Sequence, residues 1–281
     1  MASSAASSSF SCFARLPLEG RDTNRGNIPA PSQILRYMTL AHLHIAGFRL
    51  GVYVFKDAEI VDFAAPYGVL SVARRFDPEI DAFLVADAAR PVQTQAGFTV
   101  LPNYSFQDTP AMDAFLIPGG FGTRQEMHNR RLHAFIRSLP EATLLTSVCT
   151  GSWVYGRMGL LDGLAATNRK EPDHIEASGR GKVPIDRLAE IAPACRISRA
   201  RVVDTGRIVT AGGIASGMEL GFHLLRRAGY DEFFVAEVAR VMEYQQAYEI
   251  YREDIERAEG KQSPTREPLT QPDAGPSTTL S

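Results

Sequence analysis

The chain has 281 residues, with 30 Lys and Arg against 32 Asp and Glu, a formal net charge of −2 and 44% hydrophobic residues. That length buries a full core in one ordinary domain or in two small ones, and the balanced charge argues against a nucleic-acid binder driven by bulk charge. Three cysteines, Cys12, Cys149 and Cys195, are too few for a secreted disulfide scaffold and fit free thiols in a reducing compartment, while no run of 18 apolar residues offers a membrane span.

The opening stretch from Met1 to Cys12 is small and Ser-rich, and acids are scarce beside Arg15, Arg21, Arg25 and Arg36. It weakly resembles an organellar transit peptide. A disordered extension, or an upstream start with Met38 as the natural one, is the preferred reading, and the expected location is the cytoplasm. Residues 1–45 are expected to be weakly ordered. From Lys261 to Ser281 the chain is rich in Pro, Ser, Thr and Gln and is expected to be a disordered tail. One domain over residues 46–248 is the simplest division, with 249–281 as the end of a helix and the tail.

Between these ends strand and helix patterns alternate. Phe48–Phe55 is an almost continuous apolar run of strand length, as in a sheet buried on both faces. Asp62–Phe76 reads as a helix interrupted early by Pro66, and Ile80–Ala86 as a second strand. Pro91–Phe106 alternates around a central Gly, which predicts an excursion hairpin. Met112–Pro118 is a third buried strand and Ala142–Val148 a fourth, separated by a helix over Gln125–Ser138. Helical spacing resumes over Thr150–Leu161. Arg196–Gly212 holds two short runs around Asp204-Thr205-Gly206, a hairpin signal, before helices at Ile214–Ala228 and Asp231–Tyr244. The predicted class is α/β, with a doubly wound, mostly parallel sheet flanked by helices.

In such sheets ligands bind beyond the carboxyl ends of the strands. That rule selects the region after Phe55, Gly119-Gly120, and Cys149-Thr150-Gly151. Cys149 ends an apolar strand and opens a helix, where free N–H groups favour a thiolate and lower the thiol pKa. The turn is a cysteine analogue of the nucleophile elbow, although Ser147-Val148-Cys149-Thr150-Gly151 lacks that motif's first Gly. A buried, inert thiol is the competing reading. Asp62 either caps the first helix or faces the thiol; beside a thiolate, one of the two acids must hold its proton, which makes Asp62 a proton donor. Glu59 competes on the same loop, but turn spacing predicts another face for it.

Gly119-Gly120 is either a plain turn or a place where a backbone N–H approaches a ligand and, with the N–H of Thr150, stabilises negative charge. Gly212-Gly213-Ile214-Ala215-Ser216-Gly217 fails the Gly-x-Gly-x-x-Gly pattern and is read as close packing in which Gly213 and Ile214 line the pocket. Cys195 is assigned to core or surface. The six histidines, His42, His44, His128, His133, His174 and His223, give no metal-ligand spacing.

In order, Asp62-x-x-x-Pro66, Ile117-Pro118-Gly119-Gly120, Thr146-Ser147-Val148-Cys149-Thr150-Gly151-Ser152, Gly159-Leu160-Leu161-Asp162-Gly163 and Thr210-Ala211-Gly212-Gly213-Ile214 resemble the DJ-1/PfpI superfamily, which is class I glutamine amidotransferase-like with a flavodoxin-like fold. The match spans roughly residues 46–245 and is most similar to the isocyanide hydratases, which carry an Asp in the first loop and Cys-Thr at the elbow. The resemblance implies attack of Cys149 on an isocyanide carbon, proton transfer by Asp62, a water or Asp62 held by the Thr150 hydroxyl, and orientation by the Thr150 and Gly120 N–H groups. It implies no metal or organic cofactor, a small-molecule substrate, a homodimer, and neither nucleic acid nor membrane as partner.

Two departures bear on the activity. Thr150 stands where protease-, glyoxalase- and deglycase-like members place a His after the nucleophile. Ala165-Ala166-Thr167-Asn168-Arg169 replaces the Ala-Thr-Thr-His-Trp segment of many relatives, a stretch that lines the substrate cavity, and the polar insert Glu171–Pro184 is expected to reshape its rim. The competing expectations are a glyoxalase- or deglycase-like enzyme and a redox sensor or regulatory protein using Cys149.

Overall fold

The computed structural model describes residues 47–258. The N-terminal extension, with Cys12, His42 and His44, and the tail from Lys261 lie outside the described residues.

The four apolar runs form the middle of one sheet. In chain order its strands are β1 (Arg49–Tyr53), β2 (Asp81–Ala86), then a separate two-stranded ribbon of β3 (Val92–Gln93) and β4 (Thr99–Val100), followed by β5 (Tyr104–Ser105), β6 (Ala114–Ile117) and β7 (Leu144–Val148). A second ribbon pairs β8 (Ala165–Ala166) with β9 (Arg196–Ile197), and β10 (Val202–Asp204) and β11 (Ile208–Ala211) complete the set. The seven-stranded sheet runs β10-β11-β7-β6-β1-β2-β5. All its pairings are parallel except β10 with β11, the hairpin expected around Asp204-Thr205-Gly206. Every residue of β6 and β11 is buried. Continuous burial is what a parallel sheet covered on both faces demands.

Local chemistry moves several boundaries. The first helix spans Ile60–Ala73, so Asp62 lies inside its first turn and caps nothing; Glu59 occupies the N-cap without a side-chain cap bond. Pro66 sits within this helix instead of interrupting it. Its missing N–H withdraws the hydrogen bond to the Asp62 carbonyl, and packing on the Ser216–Arg227 helix offsets the loss. The two helices approach so closely that a Cβ on Gly221 would meet Val69 Cβ at 2.7 Å.

The excursion hairpin closes around Gln95–Gly97, but Tyr104–Ser105 leaves it and adds an edge strand beside β2. The expected helix over Gln125–Ser138 is two helices, Thr123–Glu126 and Arg130–Ser138. Asn129 starts the second by accepting the N–H groups of Arg131 and Leu132, an ordinary N-cap. The helix expected from Thr150 is also shorter: Cys149–Gly151 forms a tight 3-10 turn and Ser152–Arg157 the helix. Inside the polar insert, His174–Ala177 folds as a one-turn helix with a reciprocal capping box between Asp173 and Glu176. The last helices are Glu232–Val241 and Gln245–Ala258. Among the described residues no helix is long and apolar enough to cross a membrane.

Candidate active site

The carboxyl ends of β1, β6 and β7 bring together the three regions that the strand-end rule selects. The loop after β1 is fastened to the Gly-Gly turn after β6 by a bridge between Ala58 and Gly120, and the Glu59 N–H donates to the Gly119 carbonyl at 2.9 Å. β7 runs beside β6, so its last residue delivers Cys149 next to the same turn.

Cys149 has φ of +54°, the left-handed region that a residue with a Cβ rarely adopts. Surrounding bonds hold it there. Its N–H donates to the Gly212 carbonyl at 2.8 Å, and its carbonyl accepts from Ser152 Oγ at 3.3 Å. Asn168 Nδ2 in turn donates to Ser152 Oγ at 2.8 Å, and Asn168 is fully buried. Part of the Asn168-Arg169 departure therefore braces the elbow. Strain kept in place by an over-determined environment is a recurring property of functional sites. The sulfur is not broadly exposed, as Cys149 is 5% accessible, yet it lines a cavity of about 150 Å³.

Asp62 is fully buried. Its Oδ2 accepts the Gly119 N–H at 2.9 Å, while Oδ1 has no hydrogen-bond partner. Burial pushes its pKa well above the usual carboxylate range; the Gly119 N–H opposes this, Glu59 adds to it, and the Cys149 thiol and Arg169 oppose it. The Cys149 thiol is also pushed well up, first by burial and then by the nearby Asp62 charge, with Arg169 and the Thr150 N–H pulling the other way. This corrects the expectation of a thiol made acidic by the helix N-terminus. Desolvation outweighs those few N–H dipoles, and burial makes both groups resist losing their protons.

Thr150 plays a different part from the one expected. Its hydroxyl neither binds Asp62 nor stands free for water: Oγ1 accepts the Gly120 N–H at 3.0 Å and pairs with Thr123 Oγ1 at 3.0 Å. The Gly120 N–H is thereby committed, and the Gly119 N–H belongs to Asp62. Of the N–H groups expected to orient a reacting group, the one on Thr150 faces the sulfur. Ile214 borders the cavity, 40% exposed. Gly213 stands behind Arg169, whose Cγ would lie 2.5 Å from a Cβ there. Cys195 is buried at 9% exposure, within the core that the sequence reading allowed.

Glu59 lines the same cavity as Cys149, which overturns its assignment to another face. With the Gln95 amide oriented to satisfy both neighbours, its nitrogen donates to Glu59 Oε2 at 2.6 Å and its oxygen accepts the Phe121 N–H at 3.0 Å. Sequence reasoning missed Gln95, Arg124 and Asp173 as lining residues. For Arg124 a signal existed, because it lies in the first turn of the short helix that follows the Gly-Gly strand end. Arg169, known from sequence only as a departure, is the cation whose charge reaches both Cys149 and Asp62. Its guanidinium is held by Glu176, with N–O distances of 3.0 and 3.1 Å, and lies 3.6 Å from Asp173.

The arrangement suits covalent chemistry on a compact ligand. A thiol projects from a strained elbow beside a buried carboxyl whose pKa burial raises, so sulfur can form a bond while a proton moves through Asp62 without bulk water.

Residues 49–227 match the model of the DJ-1/PfpI family. The chain is 30% identical over 201 residues to the isonitrile hydratase of Pseudomonas putida, covering 71% of this chain and 78% of that protein. It is 27% identical over 158 residues to the HTH-type transcriptional regulator GbdR of Pseudomonas aeruginosa, covering 54% of this chain and 40% of the regulator. Among solved structures, a ThiJ/PfpI family protein from Pseudomonas syringae superposes with a TM-score of 0.62 at 21% identity, covering 79% of this chain and 83% of that one. Schizosaccharomyces pombe DJ-1 gives a TM-score of 0.55 at 18% identity, covering 69% and 97%. These two likenesses speak for the fold alone. With the family model spanning most of the sheet and the Cys149 elbow, the chain belongs to the DJ-1/PfpI family.

Proposed function

We propose that this protein hydrates an isocyanide to an N-substituted formamide through a covalent thioimidate on Cys149. The observation that carries this reading is the fully buried Asp62 carboxyl beside a thiol that projects from a left-handed elbow into a cavity of about 150 Å³. The 30% likeness to an isonitrile hydratase supports the same reaction.

The chemistry balances without a cofactor. Sulfur bonds to the terminal carbon of R–N≡C while the thiol proton, relayed by Asp62, arrives on that carbon, giving R–N=CH–S–Cys149. Water then adds across the C=N bond, its oxygen to carbon and a proton to nitrogen. Collapse of the adduct breaks the C–S bond, returns a proton to sulfur and releases R–NH–CHO. A neutral thiol and a neutral acid are the resting states this sequence needs, because the first step consumes one proton and the last restores it. Covalent capture divides one difficult hydration into two easier steps. The Thr150 N–H, next to the sulfur, is placed to stabilise charge as the adduct forms. The reading carries with it a homodimer acting on a small molecule, which sedimentation of the purified chain tests.

The experiment is turnover of a simple alkyl isocyanide, with formamide measured by chromatography. Wild type is expected to produce formamide and Cys149→Ala none. Absence of product from wild type would sink the hydratase reading. A regulatory role is the second reading, favoured by the likeness to GbdR. Ready oxidation of Cys149 by peroxide with no formamide formed would support it, although a thiol pushed up in pKa is a slow target for oxidants.

A further inference from the structure

The Cys149 cavity is not isolated. It shares Phe121, Arg124 and Asp173 with a larger hollow of about 800 Å³ that lies between the Thr123–Glu126 helix, Trp153 and the polar insert. The charges along this shared wall are unevenly satisfied. Arg169 is taken by Glu176 and Asp173, Lys182 and Arg187 share Glu190, and Glu59 is engaged by Gln95. Asp173 also receives the N–H groups of Ile175 and Glu176. Arg124 has no carboxylate partner among the described residues. Its guanidinium is instead held against two aromatic faces, 5.4 Å from the Phe121 ring centre and 5.3 Å from that of Trp153. Trp153 is fixed in turn by its indole N–H, which donates to the Pro184 carbonyl at 3.0 Å.

A guanidinium that stacks on rings keeps its in-plane N–H donors free, and those donors match a carboxylate in a paired geometry. We propose that Arg124 makes this site selective for substrates that carry a carboxylate a short distance from the reacting group. The uncharged end meets Cys149, and the anion meets Arg124 where the two hollows join. The small volume of the inner cavity limits the spacer to a few atoms. Arg169 does not serve this role because Glu176 already neutralises it.

The inference rests on the hydratase reading for its substrate, so its test has an arm that needs no turnover. In the first arm, kcat/KM is compared for isocyanoacetate and its isosteric carboxamide, 2-isocyanoacetamide. Wild type is expected to prefer the carboxylate by about tenfold or more, as a charge-assisted hydrogen bond allows. Arg124→Gln is expected to bring the ratio close to one, with the loss in KM, and Arg124→Lys to keep part of the preference. In the second arm, calorimetry measures binding of N-formylglycine and N-formylglycinamide. Binding that favours the acid in wild type and loses that bias in Arg124→Gln supports the inference even if no isocyanide is turned over. Equal treatment of acid and amide by wild type, or a bias that survives Arg124→Gln, overturns it while leaving the hydratase reading intact.

Discussion

The Gly119 N–H donates to Asp62 Oδ2 at 2.9 Å, while Oδ1 of the same buried carboxyl has no hydrogen-bond partner. One oxygen is thus anchored to the strand end and the other left available for proton transfer. Asp62→Asn keeps the shape and an acceptor for Gly119 but removes the transferable proton. It is expected to lower formamide production by roughly 10²–10⁴-fold, the range in which general acid–base groups act. Turnover within tenfold of wild type would remove Asp62 from the mechanism.

The same substitution has a stability signature. A carboxyl whose folded-state pKa is raised contributes its stability below the unfolded value, about 3.9, and that contribution fades as pH rises through the folded value. Asp62 is such a group, raised chiefly by burial. Wild type should therefore lose stability relative to Asp62→Asn as pH rises above about 4, by up to ~1.4 kcal/mol per pH unit between the two pKa values. Denaturant unfolding at pH 4 and pH 8 checks the sign. A gap between the proteins that stays constant, or moves the other way, would mean that Asp62 is ionised in the folded protein.

Gly119 separates the acid from the elbow. A Cβ there would lie 2.6 Å from Thr150 Oγ1 and 2.7 Å from both Asp62 Oδ2 and the Thr150 nitrogen. Gly119→Ala is expected to destabilise by about 1–3 kcal/mol through overpacking and to abolish turnover by moving Asp62 from Cys149. Thermal unfolding and the formamide assay measure the two effects. Wild-type values in both would show that the turn gives way freely.

Much of this geometry was written in local patterns. The apolar runs ending at Phe55, Pro118 and Val148 announced a parallel sheet because strands buried on both faces have no polar positions to alternate with. Cys149 stood out because a small-residue turn joins such a run to a helical one. The thiol's raised pKa was not legible, since it is a contest between helix N–H groups and burial, and burial depends on the whole fold. The position of Glu59 depended on the bridge between Ala58 and Gly120, a long-range pairing without a sequence period. The Arg124 contacts with Phe121 and Trp153 depended on how two short helices meet, which hydrophobic spacing does not encode.

Thr150 acts as a tie between elbow and turn, its hydroxyl accepting the Gly120 N–H. Thr150→Val conserves volume but leaves that N–H and the Thr123 hydroxyl without this partner. The expected cost is about 1–3 kcal/mol of stability, with a fall in turnover as the elbow loosens. Thr150→Ser keeps the hydroxyl and is expected to stay near wild type in stability. If Val and Ser variants melt alike, the hydroxyl does not hold the elbow.

Away from the active site, Asp204 on β10 joins the edge hairpin to the Ser216–Arg227 helix: its Oδ2 lies 2.7 Å from His223 Nε2 and also accepts from Arg227. Burial works to raise this carboxyl's pKa, but the hydrogen bonds from His223, Arg227 and the Gly206 N–H outweigh it and hold the pKa well below the ordinary range. A depressed carboxyl pKa gives stability that is present above the unfolded value of about 3.9 and lost as pH falls toward the folded one. Asp204→Asn is expected to cost about 1–2 kcal/mol at pH 7, with the gap to wild type narrowing below about pH 4 as protonation cancels the same interaction in wild type. Denaturant unfolding of both proteins from pH 7 to pH 3 measures the gap. If it stays the same size throughout, Asp204 contributes through packing and not through its charge.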